Sequence, residues 1–172
     1  MSRVSTNPRL GSIDEAELQR DVKAALDECQ KQIGLASNIA DRIGELLLYA
    51  RTGEFNGERE AVPVLLVGVA MSVSPWSAML KREVKPDDVS FCGPLALKEP
   101  ATSLGVVLAA ALARYQLGQK QPVTPRLLGA LCNGGRNFVH NAIMREELSL
   151  KAGRIPATQA KRWAKARGVV GL

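Results

Sequence analysis

An aliphatic, alanine-rich composition, a long helical repeat of apolar residues, and a C-terminal pair of short segments around an Asn-Gly-Gly turn together predict a mainly α-helical chain. The expected architecture is an N-terminal helical bundle or dimerisation region followed by a C-terminal winged helix-turn-helix with a small β-hairpin. The chain has 172 residues, 46% hydrophobic but only 4% aromatic, so its core must be built from Ala, Leu and Val, and Ala and Leu are strong helix formers. The division predicted is a flexible tail over 1–13, a helical dimerisation domain over 14–120, and the winged module over 121–172.

The first segment, Asp14 to Arg51, contains no proline. Apolar or small residues recur at Leu18, Val22, Ala25, Cys29, Ile33, Ala36, Ala40, Ile43 and Leu47, steps of three and four that keep one helix face apolar. Ser12, with Glu15 three residues on, has the arrangement of a capping box. Thr52-Gly53 supplies a stop, and Gly34 is a place for a break. Such a stripe needs a partner, either the rest of the chain or a second copy, and a homodimer through this segment is expected.

Glu54 to Ala61 reads as a loop. Val62 to Leu80 is apolar, with Pro63 suited to a first helical turn and Ser74-Pro75 introducing a kink or a new helix containing Trp76, Met79 and Leu80. Lys81 to Pro100 holds three prolines and reads as turns. Thr102 to Leu117 predicts another helix. Thr124-Pro125 then opens a short one, because Thr caps well and Pro lacks only an N–H that would be unpaired there. It runs to Leu131, with Leu127, Leu128 and Leu131 on one face. Cys132-Asn133-Gly134-Gly135 is a tight turn, since Asn and Gly tolerate positive φ. Arg136 to Arg145 is the second helix, with Phe138, Val139, Ala142 and Ile143 inward. Two short helices about a glycine turn form a helix-turn-helix. Glu147 to Leu150 and Arg154-Ile155 are expected as two strands around Lys151-Ala152-Gly153. A last helix runs from Ala157 to Arg167, with Trp163 an inward anchor against Leu128 and Val139.

Charge separates the chain in two. Residues 1–113 carry 12 Lys/Arg and 15 Asp/Glu, a net of −3, while residues 114–172 carry 11 Lys/Arg against Glu146 and Glu147 alone, a net of +9. A basic final third on a mildly acidic body predicts an anionic partner for that third.

Other classes find little support. No apolar run reaches the roughly 20 residues that span a bilayer, and the N-terminus has no signal-peptide apolar region, so a cytoplasmic setting without a membrane partner is expected. Cys29, Cys92 and Cys132 are far apart and lack metal-ligand spacing. His140 is the only histidine and builds no metal site alone. No glycine-rich phosphate loop is present, and Glu15, Glu17, Asp21 and Asp27 read as a wetted helix face. Neither an enzyme nor a cofactor is expected, and no small-molecule effector is identified.

The stretch TPRLLGALCNGGRNFVHNAIMREELSLKAGRIPATQAKRWAKARG resembles the MerR/excisionase-like winged helix-turn-helix in its order of helix, turn, helix, hairpin and Trp-bearing helix. The resemblance covers none of the first 120 residues. Full-length MerR-type regulators place this module first and a coiled coil after it, whereas here the module comes last, so no metal or drug ligand is carried over. The resemblance implies double-stranded DNA as partner, with the second helix in the major groove. On that basis Arg136, Asn137, His140 and Asn141 would face the bases, since Arg pairs with guanine and Asn with adenine. Gly135 would allow close backbone approach. Thr124 and Arg126 would clamp a phosphate, Lys151 and Arg154 would sit on the wing, and Lys161, Arg162 and Lys165 would add backbone contacts. The function expected is that of a sequence-specific, nucleoid-associated, bacterial-type transcriptional regulator acting as a homodimer. The alternatives are a plasmid or phage maintenance or architectural factor, and an interaction adaptor that does not touch DNA.

Overall fold

The computed structural model describes residues 9–20, 22–23, 43–56, 61–72, 103–134 and 137–172. Outside them lie most of the first predicted helix, with its break at Gly34, the Ser74-Pro75 kink, the proline-rich stretch to Pro100, and two candidate site residues, Gly135 and Arg136. The described part is mainly helical. After a single 3₁₀ turn at Leu10–Ser12 and helical residues at 15–20 come α1 (Ile43–Thr52), α2 (Ala61–Ser72), α3 (Ser103–Gly118), α4 (Pro125–Leu131), α5 (Phe138–Met144) and α6 (Ala157–Lys165).

The local chemistry of the entry differs from the capping box expected at Ser12. The Ser12 hydroxyl donates to Arg9 O inside the 3₁₀ turn, and the Asp14 carboxylate instead accepts from Glu17 N at 2.8 Å. Within the stretch read as a tail, residues 9–13 are docked: Leu10 and Ile13 are buried, and the Arg51 guanidinium donates to the carbonyls of both. Thr52 and Gly53 end α1 as expected, with Gly53 at φ +82°.

The central element is α3. From Gly105 to Arg114 every residue is buried, and Leu117 closes the run. The helix touches α1, α2, α4, α6 and the 3₁₀ turn. Ala109, Ala110, Ala111 and Ala113 present so little bulk that helices approach it from several sides, which is how a chain with few aromatic residues fills its interior at native density. One buried cluster runs from Leu10 through α3 to Ala164, crossing residue 120. Leu18, Val22, Ile43 and Leu47, four members of the N-terminal stripe, are buried in it within this one chain.

The C-terminal third begins as its sequence signals. Thr124 caps α4 by accepting from Leu127 N at 3.4 Å, and Pro125 takes the first turn. Asn133, at φ +54°, ends the helix: Gly134 N donates to Gly129 O and Asn133 N to Ala130 O. This double closure, with a left-handed residue between, satisfies carbonyls left over at a helix end. The same pair of bonds closes α3 at Lys120, α5 at Glu146 and α6 at Gly168.

The expected two-stranded wing is not seen among the described residues. Two isolated antiparallel bridges stand in its place, Lys151 with Arg154 and Val123 with Ile155. Lys151 and Arg154 exchange both backbone bonds around Ala152 and Gly153, each at positive φ, the tight turn whose twist suits a hairpin. The ladder goes no further because its next groups are used elsewhere. Ile155 pairs with Val123, Leu148 is buried, and Ser149 gives both its N–H and its hydroxyl to Gln159 Oε1 on α6.

Candidate nucleic-acid interface

Helix α5 is held by its inner face and by its two ends. Val139 and Ala142 are buried and Ile143 is half-buried. Phe138, expected inward, is instead 38% exposed. Its ring lies at the rim against Trp163, with centroids 5.3 Å apart. It also covers the turn, since a Cβ on Gly134 would run into that ring. Trp163 itself is buried, in the same cluster as Leu128 and Val139.

A charged clasp joins the end of α5 to α6. Glu147 Oε2 accepts from Trp163 Nε1 at 3.0 Å and from Arg167 Nη2 at 2.6 Å, and its Oε1 lies 3.8 Å from Arg145 Nη1. The Arg167 guanidinium stacks over the Trp163 ring at 3.6 Å. The indole N–H first, and the Arg167 guanidinium after it, hold the Glu147 carboxyl below the usual carboxylate range. The clasp ties the segment after α5 to α6, and of its groups only Arg145 lies on the exposed arc of α5.

That outward face carries Asn137, His140 and Asn141, all exposed. None of their side chains makes a hydrogen bond among the described residues, and Asn137, at the helix start, does not use its side chain as a cap. The remaining expected site residues that are described lie on α4, at the tight turn and on α6. Thr124 is spent on capping α4, and Arg126 is exposed beside it. Lys151 and Arg154 flank the tight turn, both exposed. On α6, Arg162 and Lys165 are exposed and Lys161 is half-buried. Lys120, Thr158 and Lys161 line a shallow hollow of about 360 Å³ at the start of α6.

Charge counting included one residue that the surface lacks. Arg114 is 3% exposed, and its guanidinium donates to Ala50 O, Arg51 O and Val170 O. The charge therefore sits at the carboxyl end of α1, where orphan carbonyls and the helix dipole favour a cation. Two outward residues were missed by sequence reasoning, Met144 and Arg145. Both continue the exposed arc of α5 once its inner face is fixed by Val139 and Ala142; a methionine there reads as core until the helix phase is known.

Beside this face, Gly11 N donates to Asn133 Oδ1 at 2.8 Å, so the N-terminal turn touches the turn between α4 and α5. A cavity of about 160 Å³ lies between them, reached by Arg51, Cys132 and Arg167. Burial pushes the Cys132 thiol up to about 12, so it stays protonated at neutral pH and is a poor nucleophile. Among the described residues no cluster of three or more potential metal ligands occurs, and no helix is long and apolar enough to cross a membrane. No family model, curated protein or solved structure matches the chain.

Proposed function

We propose that this chain binds duplex DNA, with α5 lying in the major groove, and that it acts as a sequence-specific transcriptional regulator. The observation that carries this reading is the outward face of α5. It projects two carboxamides and an imidazole, none of them hydrogen-bonded to the protein among the described residues, from a short helix that follows α4. Unengaged amides on a fixed helix suit base edges, where one Asn gives and accepts a hydrogen bond at adenine. Exposed cations lie on the neighbouring elements: Arg126 on α4, Arg145 after α5, Lys151 and Arg154 at the turn that serves as a shortened wing, and Arg162 and Lys165 on α6. These suit phosphates, which supply affinity and register without sequence choice. We propose that two copies act together, because a single module of this size buries little surface on DNA and linking two raises the effective concentration of the second.

A gel-shift titration on random duplex over a salt series tests the reading. Binding is expected to weaken steeply with salt. Lys165→Ala is expected to weaken all sequences alike and to lower the salt slope by about 1. Replacing Asn137 and Asn141 by Ala is expected to flatten preference between sequences while leaving binding to random duplex in place. Absence of any shift at low salt, or identical behaviour of the two sets of variants, overturns the proposal.

A further inference from the structure

The inner face of α5 sets the phase of the whole helix. With Val139 and Ala142 buried, a rotation of about 100° per residue puts Asn137, Asn141 and Met144 on one line directly opposite the core. The steps of four and three are those of a single helical stripe. His140 and Arg145 flank it on either side. Met144 is 71% exposed, the most exposed of the large hydrophobic side chains among the described residues. It ends a line that is otherwise amide, and it sits beside Arg145, whose side chain is 72% exposed.

The chemistry of that line is specific. A carboxamide matches the N6 donor and N7 acceptor of adenine, and the one apolar group that base pairs present in the major groove is the 5-methyl of thymine. From Asn137 to Met144 the helix rises about 10 Å at 1.5 Å per residue, which spans roughly three steps of duplex at 3.4 Å each. We infer that this stripe reads a short run of A·T pairs, with Asn137 and Asn141 on adenines and Met144 against a thymine methyl. The inference rests on the DNA-binding reading above and names the class of sequence it selects. An apolar groove on a protein would also accept an exposed methionine. The net +8 of residues 115–172, counted without the buried Arg114, and Arg145 at the edge of the stripe, favour the polyanion.

The test uses the full-length chain. Sites are first selected from a random duplex library, and each thymine of the selected core is then replaced in turn by uracil, which removes only the methyl group. Wild type is expected to bind one uracil-substituted site about three- to fivefold more weakly, the effect of a buried methyl. Met144→Ala is expected to bind the thymine and uracil forms equally, and Met144→Leu to keep the discrimination. The exposure of Met144 leaves folding untouched, and circular dichroism of both variants checks it. A G·C core, equal binding of the thymine and uracil forms by wild type, or full discrimination by Met144→Ala overturns the inference while leaving DNA binding in place. Failure to select any duplex overturns both readings together.

Discussion

Replacing Arg114 by methionine preserves most of the side-chain volume and removes four hydrogen bonds. Ala50 O, Arg51 O and Val170 O then lose a charged donor in a buried setting. Leaving such groups unpaired costs about 1–3 kcal/mol each before water reaches them. Because some of these carbonyls would be rehydrated, Arg114→Met is expected to destabilise the fold by about 2–4 kcal/mol in a urea titration. A loss below about 0.5 kcal/mol would show that the clamp is not a structural support. Sequence gave no hint of this role, since the partners of Arg114 are main-chain carbonyls more than fifty residues away in either direction. The same holds for Asp14, which caps where Ser12 was expected: a local pattern names candidates, but the turn at Leu10–Ser12 decides which oxygen is available.

At the scale of elements, the clasp between α5 and α6 makes a pH-dependent prediction. Glu147 has its folded carboxyl pKa lowered, chiefly by the Trp163 indole N–H. A lowered value means that the stabilisation is fully present above the unfolded carboxylate value and fades as pH falls through the folded one. Stability of wild type and Glu147→Gln is therefore expected to differ by a constant amount from about pH 5 upward, and to converge as the pH drops below the ordinary carboxylate range. Urea titrations at pH 7 and near pH 3 check this, and an unchanged gap would mean that Glu147 acts only through its shape. The boundaries of α4 were legible because Thr124, Pro125 and Asn133 act within a few residues of themselves. The ends of α3 and α5 fall within one residue of the expected Leu117 and Arg145, but their closures at Lys120 and Glu146 were not legible, because each places a non-glycine residue at positive φ, a strain of roughly 1 kcal/mol. The wing failed for a related reason. Its pattern of residues suits a hairpin, but Gln159 and Val123 compete successfully for its backbone groups.

For the molecule as a whole, the buried α3 is the frame on which the rest is hung. Its small residues predicted a helix correctly, yet the fully buried length was hidden, because alanine is as much at home on a surface as inside. Exposed charge follows from that frame: α3 removes Arg114 from the surface, while Arg126 on α4, Arg145 after α5, Lys151 and Arg154 at the tight turn, and Arg162 and Lys165 on α6 stay exposed. The outward phase of α5, on which Met144 lies, follows from two buried residues rather than from any motif.

The chain that leaves α6 turns back at Gly168 and delivers Val170 O to Arg114, which also grips the end of α1. The docked tail ties the end of α6 to α1 and α3, and the Val123–Ile155 bridge ties the start of the C-terminal third to the segment before α6. Two such units joined symmetrically would behave like a caliper locked at one setting. Inserting a single base pair between paired half-sites turns one of them by about 34°, and a locked caliper cannot follow. Cooperative binding is accordingly expected to collapse with one to five inserted pairs and to recover near ten, a pattern that footprinting over a spacer series would display.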